Sequence, residues 1–225
     1  MSTSSISPTS PIHPVATPIK ILLVAASPTK DIRSRAAVEF RKIIDGVART
    51  PAKDRIQFSN LPAPQFSDLR TALLKYEPHI LHISSQGSED GSLNFEPDDW
   101  GRCTVSKKQL LRLLETLNDN LRLVFFNAWH SLALARDLPP VIDLALGIDL
   151  TIPDGESIDF AVSFYETLAY GKTVEKAFRV ALASLQDGND DLPVLFPNVA
   201  DDRENKRKQI LFSDENQSIK PQSAT

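Results

Sequence analysis

Cysteine is almost absent from this chain of 225 residues. Its single Cys103 excludes an intramolecular disulfide and a cysteine-rich zinc site, a usage that suits a reducing compartment. No stretch approaches the ~18–20 consecutive apolar residues that span a bilayer. The start lacks the basic region and apolar run of a secretory signal. A cytoplasmic protein without membrane attachment is the expectation. The chain has only 8 glycines, and no glycine-rich loop follows its first apolar run, so a Rossmann or P-loop nucleotide site is not expected. Histidines number 4, none paired at helical metal-ligand spacing with a carboxylate, so no metal and no cofactor are expected. A formal charge of −4 argues against a nucleic-acid partner.

What is present is a hydrophobic fraction of 41%, enough for one ordinary domain with a sizeable core. Residues 1–18 mix Pro8, Pro11, Pro14 and Pro18 with Ser and Thr and carry no charge, so they read as a disordered tail. Residues 198–225 hold the mixed-charge run from Asp201 to Lys208 and read as a second flexible tail, with residues 210–212 as a small anchoring contact. The domain between them covers residues 19–197.

Within it, residues 19–26 form a continuous branched apolar run, as a parallel strand buried on both faces requires. Helical spacing of Ile32, Ala36, Phe40, Ile43, Ile44 and Val47 predicts a helix over 32–48. Strands are predicted over 55–58, 79–84, 92–95, 121–126 and 140–148. Further helices are predicted over 66–76, 106–117, 155–170 and 173–186. Ser106 with Gln109 three residues on is a capping box. Strands alternating with helices imply an α/β fold with a mostly parallel sheet and helices on both faces.

Two apolar runs end in segments that carry chemistry, His82-Ile83-Ser84-Ser85-Gln86-Gly87 and Asn127-Ala128-Trp129-His130-Ser131. These segments resemble the histidine loop (H-F-S-G-H-G) and nucleophile loop (N-A-C-x-S) of the CHAT domain, a caspase-like cysteine-peptidase family. The resemblance runs over about residues 19–197. Residues 21–28 are similar to the family's first strand and turn, and Glu39 lies in the helix that follows. Residues 87–95 resemble its G-S-x-x-G-x-L-x-F segment. Residues 141–154 resemble its V-I-G-M strand, with Asp143-Leu144 in place of Gly-Met. Residues 161–168 resemble its F-A-x-x-F-Y-x-x-L helix. The fold this implies is the caspase-like three-layer α/β sandwich.

Laid on the family pattern, Gln86 stands where the general-base histidine belongs and Trp129 where the nucleophilic cysteine belongs. A cysteine peptidase needs a thiolate and a base that takes and returns its proton. Gln does not titrate, and Trp offers only an indole N–H. The expectation drawn from these two positions is a pseudopeptidase, not an enzyme. The favoured reading of Trp129 is a ring filling the former nucleophile pocket, against an exposed anchor for a partner. His82 is read as a hydrogen-bonded core or edge histidine, and His130 as an ordinary neighbour of the nucleophile position.

The resemblance also implies a role. Active family members cut target proteins in bacterial conflict and signalling systems, so a degenerate member is expected to scaffold or regulate a protein partner, an active protease or effector of the same system. The expected binding face is the C-terminal edge of the sheet, bearing Ser84, Ser85, Gln86, Asn127, Trp129, His130, Ser131 and Asp154. Two alternatives stay open: a ligand or peptide sensor using the vestigial groove, and a hydrolase with Ser84, Ser85 or Ser131 as nucleophile.

Overall fold

The computed structural model describes residues 18–27, 29–117, 119–139, 141–148, 152–186 and 192–196. The tails expected over 1–18 and 198–225 therefore lie almost wholly outside the described residues. In chain order, β1 (Ile19–Ala26), α1 (Lys30–Ala48), β2 (Ile56–Pro62), α2 (Phe66–Tyr76), β3 (Ile80–Ser85), β4 (Leu93–Asn94) and β5 (Thr104–Val105) come first. They are followed by α3 (Lys107–Thr116), β6 (Leu123–Ala128), α4 (Leu132–Arg136), β7 (Leu144–Gly147), α5 (Asp154–Ala169), α6 (Val174–Leu182) and β8 (Val194–Phe196).

Six strands form one sheet in the order β2-β1-β3-β6-β7-β8. All neighbours pair in parallel except β7 with β8, which run antiparallel. The chain is thus an α/β sandwich with a mainly parallel sheet, as expected. β4 and β5 form a separate two-stranded ribbon.

Side-chain alternation along a strand divides β1 between two cores. Ile21, Leu23 and Ala25 pack with residues of α1, α5 and α6, whereas Leu22, Val24 and Ala26 pack with residues of α2, α3 and α4. Because both faces are covered, every residue of β3 and β6 is buried. The capping box of α3 forms as its sequence predicts, with the Gln109 N–H donating to Ser106 Oγ and the Ser106 N–H donating to Gln109 Oε1.

Several elements differ from the sequence expectation. The strand placed over 140–148 is confined to Leu144–Gly147, because Val141 and Ile142 both donate their N–H to the Leu138 carbonyl in a turn that follows α4. The edge strand β8 and the helix α4 were not anticipated. Three and five residues respectively are too short to display a periodicity.

Candidate active-site face

The two motif segments meet because β3 and β6 are adjacent and in register. Ser84 pairs with Asn127 and Ser85 with Ala128, so Gln86 and Trp129 leave the sheet side by side at its C-terminal edge. Their loops touch through the backbone. A Cβ added to Gly87 would lie 1.9 Å from the Trp129 carbonyl oxygen, so only glycine fits there.

Each loop is also fixed from behind. Ser85 Oγ donates to the Asn94 carbonyl at 2.9 Å, and the Asn94 N–H donates to the Gln86 carbonyl at 3.0 Å, tying the first loop to β4. In the second loop, Ser131 Oγ accepts from the Ile148 N–H and faces the Ile148 carbonyl, both at 3.0 Å. The chain turns between them at His130, whose φ of 56° places a non-glycine residue in the left-handed region. Ser85 stays within β3.

Between the loops lies a cavity of about 230 Å³, lined by Asp31, Arg35, Ser85, Gln86, Trp129 and Asp154. Trp129 is 40% exposed. Trp129 lines this cavity and is partly exposed, which gives the reading of an exposed anchor more support than that of a buried pocket filler. Arg35 Nη1 donates to Asp154 Oδ1 at 2.5 Å, bridging the second turn of α1 and the start of α5. Asp31 and Asp154 together outnumber the single guanidinium, so the mouth leans negative.

Of the eight residues expected on the binding face, Gln86, Trp129 and Asp154 line the cavity, and Ser85 contributes from its buried strand end. Ser84, Asn127 and Ser131 are buried beneath the face. His130 is half-buried and does not line the cavity. Sequence reasoning missed Asp31 and Arg35. The signal was their position directly after the first strand, where the chain emerges at the same sheet edge.

Below the cavity floor sits a buried polar group. The Asn127 side-chain amide donates to Glu39 Oε1 at 2.5 Å. His82 Nε2 lies 3.1 Å from the same oxygen, and His82 Nδ1 lies 3.2 Å from the Tyr165 hydroxyl. His82 is a core histidine, as expected. Burial holds the Tyr165 phenol well above its ordinary pKa, and the nearby Glu39 carboxylate adds to the effect. Among the described residues, no serine hydroxyl of either loop is hydrogen-bonded to a histidine, and no cluster of three metal-ligating side chains occurs. No helix among them is long and apolar enough to cross a membrane.

A mainly parallel sheet flanked by helices, with paired loops leaving the ends of adjacent central strands, defines a caspase-like fold. The solved structures agree. A secreted C11 cysteine protease from Bacteroides thetaiotaomicron superposes with a TM-score of 0.56 at 10% identity, covering 74% of this chain and 58% of that one. Caspase-1 from Spodoptera frugiperda gives 0.53 at 10% identity, covering 87% and 93%. At the sequence level, a Roc-COR-CHAT protease of an unknown prokaryotic organism is 25% identical over 176 residues, or 74% of this chain. The chain spans 16% of that relative's length. No family model matches. The chain thus has a caspase-like fold and is similar in sequence to a CHAT protease.

These comparisons overturn one expectation. The double replacement at Gln86 and Trp129 suggested a protein that is not an enzyme, yet the proteins it is similar to are named as proteases or as a caspase, which points to an enzyme family.

Proposed function

We propose that this domain engages a polypeptide segment of a protein partner in the cavity between Gln86 and Trp129, and that it scaffolds or regulates that partner. In this reading the working unit covers residues 19–197 and acts in the cytoplasm, in a bacterial conflict or signalling system. The observation that carries it is the open cavity at the C-terminal edge of the sheet, where an α/β fold ordinarily receives its ligand. Trp129 supplies a large, partly exposed aromatic wall of the kind that dominates protein contacts. The adjacent Arg35–Asp154 pair offers a carboxylate and a guanidinium to backbone or side-chain polar groups. Binding needs no group that Gln86 or Trp129 lacks.

Selection of a displayed peptide library on the full chain tests this reading. The expected outcome is a recurrent sequence class that binds saturably and loses roughly 30-fold or more in affinity on Trp129→Ala, the size of an aromatic hot spot. Enrichment that is indifferent to Trp129→Ala contradicts it. Mass spectrometry of the peptide after incubation reports any cleavage in the same samples.

A further inference from the structure

A second cavity, of about 370 Å³, opens on the other flank of α1, where the edge strand β2 runs out beneath the helix. Its floor is apolar. Ala25 at the end of β1, Pro62 at the end of β2, and Ala37, Phe40 and Ile44 from α1 line it. β2 is an outer strand of the sheet, so among the described residues no further strand covers this side. The mouth is shaped by a sharp turn at Ala63, whose φ is 47° and whose N–H donates to the Ala25 carbonyl at 3.1 Å. The volume falls near the lower end of the ~300–1,000 Å³ range of small-molecule sites, and an apolar body with few polar groups is their usual composition.

The rim assigns the ligand's charge. Arg33 and Arg41 both line the cavity. Arg33 is occupied by Glu96, the two forming an ion pair. Arg41 is exposed and, among the described residues, has no hydrogen-bond or ion-pair partner. Asp45, one turn further along α1, limits the rim's capacity for negative charge. Among the described residues, a single unpartnered guanidinium stands above an apolar floor, an arrangement that complements one carboxylate on a compact apolar body.

We propose that this cavity is a binding site for a small amphipathic monocarboxylate, with Arg41 receiving the carboxylate and Phe40, Ile44 and Pro62 receiving its apolar body. The site is separate from the Gln86–Trp129 cavity and does not depend on how that cavity functions.

Titration calorimetry and amide NMR of the full chain with octanoate test it, with octylammonium as the charge-reversed probe. Saturable octanoate binding is expected, with shifts concentrated at residues 37–45 and 60–63. Arg41→Gln is expected to weaken binding roughly tenfold or more, as loss of a charge-assisted hydrogen bond does. Ala37→Leu sits at an exposed helix position, so the helix accommodates it, and it is expected to block the cavity while leaving the thermal midpoint unchanged within error. The absence of saturable binding overturns the proposal. So does octylammonium binding as tightly as octanoate, an unchanged affinity in Arg41→Gln, or shifts confined to the Gln86–Trp129 face.

Discussion

Gly87 and Trp129 are locked backbone to backbone: the space a Cβ would take at residue 87 is already held by the Trp129 carbonyl oxygen, 1.9 Å away. Gly87→Ala must therefore push one loop off the other. The expected cost is about 1–3 kcal/mol or more, the range for overpacking a filled site. Urea denaturation measures it, and the indole fluorescence of Trp129 should shift in the folded variant because the ring's wall position depends on that contact.

Glu39 is fully buried, accepts from the Asn127 amide, and has His82 Nε2 3.1 Å from the same oxygen. Removing it leaves the Asn127 amide without its acceptor. Glu39→Ala is expected to lose about 1–3 kcal/mol, as leaving a buried donor unsatisfied does. Glu39→Gln keeps an oxygen for Asn127 and should lose less. The comparison of the two denaturation midpoints checks the assignment.

His79 supplies a pH dependence with a definite sign. Its Nδ1 accepts the Lys20 backbone N–H at 3.0 Å, which requires the unprotonated nitrogen. Burial lowers its pKa below the ordinary 6.5, and the charges of Lys20 and Arg122 lower it further. The unfolded chain therefore takes up a proton as pH falls through 6.5, while the folded chain resists it. Stability from this group is full above about pH 6.5 and declines as pH falls toward the folded pKa. Denaturation midpoints at pH 8, 6 and 5 should show that decline, and His79→Gln should flatten it.

Ser106→Ala tests a feature readable from the sequence. Loss of the N-cap of α3 is expected to cost about 1 kcal/mol by denaturant titration.

That cap was legible because its chemistry is local: a serine and a glutamine three residues apart carry both halves of the interaction. The buried strand β1 was legible for a similar reason, its apolar run being unbroken. The pairing of Gln86 with Trp129 was legible through the family resemblance. β8 was not, since three residues between Pro193 and Pro197 show no pattern and its antiparallel pairing is a tertiary choice. The cavity's Asp31 and Arg35 were hidden because only folding brings the first two turns of α1 to the start of α5. The inward placement of Ser84 follows from alternation with His82 on one face of β3, a period-two argument that assigns both residues to the core.

Site-specific photocrosslinking tests the central claim most directly. A photoreactive residue replaces Gln86 in one sample and exposed Lys108, on α3, in another, each mixed with a library-selected peptide. The account predicts peptide capture from position 86, competed by unlabelled peptide and absent from position 108. Equal capture from both positions, or capture from 108 alone, would contradict a polypeptide site between Gln86 and Trp129.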